Sequence, residues 1–70
     1  MIGIREIAML RLADAGFHSV HVSVRRGPFG TAIRFTHPKP YFVVALVPKG
    51  TRAIHTIEAM IDDLKEEFSS

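Results

Sequence analysis

The chain has no cysteine and no tryptophan. Without thiols there is no disulfide and no thiolate site, so packing alone must hold seventy residues together. A cytoplasmic setting is the simpler expectation for such a chain. Long apolar runs are missing as well. The longest, Tyr41 to Val47, is far too short to cross a bilayer, so no membrane association is expected. The start, Met-Ile-Gly-Ile-Arg-Glu, lacks a basic stretch ahead of an apolar one and does not read as a signal peptide. Repeats, low-complexity tracts and linker-like stretches are absent, which predicts a single compact domain over residues 1–70. The most telling absence is of one charge sign. From Ala15 to Ile57 there is no aspartate or glutamate.

That acid-free stretch holds Arg25, Arg26, Arg34, Lys39, Lys49, Arg52 and all four histidines. The seven carboxylates lie outside it, at Glu6 and Asp14 and at Glu58, Asp62, Asp63, Glu66 and Glu67. A net charge of only +2 conceals this separation. A one-signed region suits an anionic partner, and nucleic acid is the commonest large one. A hydrophobic fraction of 47% is enough for a core and too high for a disordered chain.

Periodicity predicts the order helix, strand, strand, strand, helix. Residues 4–15 are good helix formers ending at Gly16, but their apolar side chains are not confined to one stripe, which suggests a sandwiched helix or a subunit interface. Residues 17–26 alternate, with His18, Val20, Val22 and Val24 on one side and Ser19, His21, Ser23 and Arg25 on the other. A turn at Gly27-Pro28-Phe29-Gly30 leads to a second alternating run, residues 31–36, with Ile33 and Phe35 inward and Arg34 outward. His37-Pro38-Lys39-Pro40 breaks the pattern. The third strand, Tyr41 to Val47, is apolar on both faces, so its inward row cannot be read from the strand itself. Thr51 stands where a cap for the last helix is expected. In that helix Ile54, Ile57, Ile61, Leu64 and Phe68 form a stripe at 3–4 spacing. The expected fold class is α+β, α-β-β-β-α, with a three-stranded antiparallel sheet packed against two helices.

Three regions are candidates for binding. The hairpin Arg25-Arg26-Gly27-Pro28-Phe29-Gly30 places two guanidiniums beside an aromatic ring, a combination that clamps phosphate or stacks on a base. A hairpin with solvated arginines and a tucked Phe29 is the plainer reading. The start of the last helix, Lys49 to Arg52, joins free backbone N–H groups to two cations, or is simply a helix start with surface charges. The outer sheet face, with Ser19, His21, Ser23, Arg25, Arg34 and Thr36, is polar and acid-free, or an ordinary solvated face. The nucleic-acid-binding set is accordingly Arg25, Arg26, Phe29, Arg34, Lys49, Arg52 and His21.

The histidines do not make a metal site in sequence. His18 and His21 would point to opposite faces of a strand, and no carboxylate clusters with His37 or His55. No nucleophile–base–acid constellation is discernible, so neither enzymatic activity nor a cofactor is expected.

The length, the element order and the Gly27-Pro28 pair in the first hairpin resemble the double-stranded RNA-binding domain. That resemblance implies binding through the first helix, the hairpin and the start of the last helix, where Lys49 and Arg52 are the nearest counterparts. The chain departs from the family in lacking a lysine-rich start of that helix and a histidine soon after Gly-Pro. Its third strand is also more apolar and lacks the usual glycines. The resemblance is not one of membership.

The expectation is therefore a small basic domain that binds nucleic acid, DNA or RNA, mainly through phosphates. The alternative is a non-enzymatic protein-interaction module, an adaptor or an inhibitor of the kind mobile elements encode, docking on an acidic or apolar partner surface. Its interface would be the third strand at Tyr41, Val43 and Ala45. A homodimer is expected in either case, because an edge strand apolar on both faces wants cover.

Overall fold

A computed structural model of the chain describes residues 3–69 and contains five elements in the expected order. Helix α1 spans Ile4–Asp14, strands β1, β2 and β3 span His21–Gly27, Gly30–His37 and Tyr41–Pro48, and helix α2 spans Ala53–Phe68. The strands form one antiparallel sheet in the order β1-β2-β3. Both helices lie on one face of it, so the domain is a two-layer α+β structure.

Local chemistry fixes the ends of α1. The Gly3 N–H donates to Glu6 Oε1 at 3.2 Å, which satisfies a donor at the helix start and puts a negative charge near the positive end of the dipole. At the other end the Phe17 N–H reaches the Leu12 carbonyl at 2.8 Å and the Gly16 N–H reaches Ala13 at 3.0 Å. Gly16 has φ of +90°, so this is a Schellman ending of the kind its position suggested. Only Ala8 and Leu12 are fully buried on α1, while Met9 and Leu10 remain exposed. The helix is thus covered on one side only, and the sandwiched position expected from its scattered apolar residues is not provided by this chain.

Register decides which strand residues face the helices. Val22, Phe35 and Val43 stand side by side across the sheet and are buried, and Val24, Ile33 and Ala45 form the next inward row. Phe35 and Ile33, on the central strand, are completely enclosed, with Leu12, Ile57 and Leu64 closing over them from the helices. The last helix presents Ile57, Ile61 and Leu64 to this core, as its spacing predicted, together with Met60 from the flank of that stripe. Enclosing a side chain of this size stabilises the fold by about 1.5–3 kcal/mol, which matters in a domain with so few of them.

Several expectations are corrected. The first strand begins at His21, so His18 and Ser19 lie ahead of it and not on the sheet. Thr51 does not cap α2. Its hydroxyl donates back to the Pro48 carbonyl at 2.7 Å, closing the turn out of β3, and Arg52 takes the capping position without a side-chain bond. On β3, Val43 is buried and Tyr41 and Ala45 are partly so. The residues on the open face are instead Phe42, Val44 and Leu46, 59%, 56% and 52% exposed. The reason is pairing: Val43 and Ala45 stand opposite Phe35 and Ile33, which β2 commits to the core.

The hairpin between β1 and β2 has two loop residues, with Gly27 paired to Gly30. Neither Pro28 nor Phe29 has positive φ, so the primed turns usual for such loops are excluded. Gly30 absorbs the mismatch with φ of +144°, and it lies so close to β3 that an added Cβ would run into the Val47 carbonyl.

At the opposite end, residues far apart in sequence form an aromatic cluster. His37 stacks on Phe68 with centroids 4.1 Å apart, and Tyr41 and Phe17 meet Phe68 edge-on at 5.6 and 6.5 Å. This pins the last turn of α2 to the β2–β3 turn and to the end of α1. Helix α2 therefore runs back along β3 in the opposite direction, its start near Pro48 and its end at Tyr41.

Candidate nucleic-acid interface

The open face of the sheet is a grid of three rows. His21, Thr36 and Phe42 form one row, Ser23, Arg34 and Val44 the next, and Arg25, Ala32 and Leu46 the third, nearest the hairpin. The face grades from polar on β1 to apolar on β3. No strand carries a carboxylate, because all seven lie on the two helices behind the sheet. Among the described residues the one ion pair is Arg11 with Glu58 at 3.8 Å, on the helical side. Arg25, Arg26, Arg34, Lys49 and Arg52 therefore have no carboxylate partner there. Five exposed cations left unneutralised keep their full attraction for an outside anion.

Two side chains shape this face further. The Arg34 guanidinium lies over the Phe42 ring, 4.9 Å from its centroid. That contact draws the guanidinium towards the β3 side of the open face by cation–π attraction. Phe29, at the hairpin tip, is 81% exposed and does not fold back on the sheet edge. A shallow apolar recess of about 200 Å³ lies at its base, lined by Pro28, Ala32 and Leu46 together with Arg25 and Arg26.

The seven sequence candidates divide between two surfaces that meet at one end of the molecule. His21, Arg25 and Arg34 lie on the open face and Phe29 at the tip. Arg26 borders both the recess under Phe29 and a groove of about 420 Å³ that it shares with Thr31, Pro48, Lys49, Gly50 and Thr51. The groove joins two regions that the sequence presented separately, the hairpin and the approach to α2. Arg52 is exposed at the first residue before that helix. Sequence reasoning missed Phe42, whose place beside Arg34 follows from the β2–β3 register and not from any local signal.

The opposite end is acidic. Partial burial raises the Tyr41 phenol above its ordinary pKa, and the charges of Asp63, Glu67 and Glu66 push it the same way. These carboxylates thus gather beside the start of β3, at the far end from Lys49 and Arg52. Among the described residues no three histidine or carboxylate side chains converge as a metal site would require, and no helix is long and apolar enough to cross a membrane.

Comparison with known proteins gives no match among family models, curated proteins or solved structures. The resemblance to the double-stranded RNA-binding domain gains no support from it.

Proposed function

We propose that the open sheet face and the hairpin end bind nucleic acid, with a single strand as the preferred form. The observation that carries this reading is the segregation of charge: a sheet without carboxylates presents unpaired arginines beside exposed aromatic rings. Arg25 and Arg34 contact phosphates from the face, and Arg26 and Lys49 extend the contact around the hairpin end. Phe29 and the Arg34–Phe42 pair supply flat surfaces on which unstacked bases rest, each such stack contributing about 1–3 kcal/mol. Both helices lie behind the sheet, so no helix is presented to a duplex groove, and the exposed rings favour the unstacked bases of a single strand. His21 adds a hydrogen-bonding group at the far row.

The test is fluorescence anisotropy with labelled single-stranded DNA, single-stranded RNA and their duplexes. Binding should be lost in Arg25→Ala/Arg34→Ala and weakened in Phe29→Ala, with single strands preferred. Binding that ignores both variants would refute the assignment to this face, and preference for a duplex would refute the stacking role.

The exposed row Phe42, Val44 and Leu46 favours a second reading, a non-enzymatic module that docks on a protein by adding a strand to β3. That reading predicts that Val44→Lys abolishes function while Arg25→Ala/Arg34→Ala leaves it intact.

A further inference from the structure

Strand β3 ends the sheet, and among the described residues no strand pairs with its outer edge. The other edge, β1, is partly blocked, because Arg5 donates from α1 to the Val22 carbonyl at 3.3 Å. Among the same residues the β3 edge has no such guard. A groove of about 430 Å³ runs between it and the flank of α2, lined by Val44 and Ala45 from the strand and by His55, Ala59 and Asp63 from the helix. An eight-residue edge with apolar side chains on the open face is an aggregation hazard unless something covers it.

The charges along this flank identify the cover. Arg52 and His55 stand at the start of α2, beside the end of β3, while Asp63, Glu66 and Glu67 stand at its end, beside Tyr41. This order opposes the helix dipole, which favours acids at the start and bases at the end. A flank that is basic at one end and acidic at the other is complementary to itself when reversed.

We infer that two copies of this chain pair edge to edge through antiparallel β3 strands, forming one six-stranded sheet with a two-fold axis between Val44 and Ala59. The reversed copy brings Arg52 and His55 against the partner's Asp63, Glu66 and Glu67, and the same contacts recur on the other side of the axis. Ala59, at the crossing, is small enough for the two α2 helices to approach. On the open face Phe42 stands across from the partner's Leu46 and Val44 from the partner's Val44. The exposed row thereby gains cross-strand apolar neighbours. A parallel arrangement would set acid beside acid, and so the charges select the antiparallel one. The dimer does not depend on nucleic-acid binding, and its test contains no nucleic acid.

The experiment is sedimentation equilibrium of the purified chain at low salt, with far-UV circular dichroism to verify folding of each variant. Wild type should show twice the 7.8 kDa chain mass and dissociate as salt is raised. Arg52→Glu alone, and Glu66→Arg/Glu67→Arg alone, should each raise the dissociation constant about tenfold or more, since every reversal acts twice in a symmetric pair. Combining all three in one chain should restore the dimer. All of these positions are exposed, so the fold is not at stake. A monomeric wild type up to high concentration would overturn the proposal, as would a dimer indifferent to the reversals or one the combined variant fails to recover.

Discussion

Replacing Gly30 by alanine is a sharp probe of how the hairpin is held against β3. Two penalties act together. The backbone has φ of +144°, where an L side chain is strained by about 1–3 kcal/mol. The new Cβ would also collide with the Val47 carbonyl and stand only 3.0 Å from Pro48 Cα, and both neighbours are backbone and cannot rotate away. Relief requires β2 and β3 to separate locally, which disturbs the buried Val47. The combined cost is about 3–5 kcal/mol, against a total stability of about 4–10 kcal/mol for a chain of this length. Gly16→Ala supplies the control. There φ is +90°, but nothing lies within 4 Å of the added Cβ, so only the backbone term of about 1–2 kcal/mol remains. Urea denaturation followed by circular dichroism, at one fixed protein concentration, reads both. With a slope of about 1 kcal/mol per molar urea, the Gly30→Ala midpoint should fall by about 3 M or more and that of Gly16→Ala by half as much or less. Equal losses in the two variants would refute the close approach of Gly30 to β3.

Other consequences follow from the far end of the molecule. Phe68→Ala removes the ring on which His37, Tyr41 and Phe17 meet and should cost about 2 kcal/mol. Hydrogen exchange should then quicken in the last turn of α2 before it does in the sheet. The single tyrosine and the absence of tryptophan make a spectrophotometric titration of Tyr41 clean. Its apparent pKa should lie above the ordinary value and move down in Asp63→Asn/Glu67→Gln. Because the folded state holds this proton more tightly than the unfolded one, the stability linked to it is complete below about pH 10. It declines as pH rises through the folded pKa. A titration at the ordinary value in wild type, or one unmoved by the variants, would contradict the placement of the carboxylates beside Tyr41.

Much of the fold was legible in the sequence because the periodicities were unmixed. Alternation in β1 and β2 and the stripe in α2 each leave one reading of which face is buried. Strand β3 defeated that reasoning, since both of its rows are apolar and only pairing with Phe35 and Ile33 assigns Val43 and Ala45 inward. Tyr41, Val43 and Ala45, expected at an interface, therefore face the core, and the exposed row is one residue away, which in a strand means the opposite face. Thr51 misled because a threonine before a helix serves equally to close the preceding turn, and the Pro48 carbonyl was the nearer acceptor. The charge segregation was visible from the start, whereas its geometry was not. Arg26 and Lys49 line one groove only because Gly30 pairs with Pro48 and brings the two turns together. The aromatic cluster joins residues 17, 37, 41 and 68, and no local pattern announces a contact of that range.

The proposed hold of the carboxylate-free face and hairpin end on a nucleic-acid strand, through unpaired cations, must show in how affinity depends on salt. Four contacts, from Arg25, Arg26, Arg34 and Lys49, predict that log K for a labelled single strand falls against log salt with a slope of about −2.8. Arg25→Ala/Arg34→Ala should reduce that slope to about −1.4 as well as weakening binding. An affinity that does not change with salt, a slope the variant leaves untouched, or no binding at low ionic strength would contradict the account.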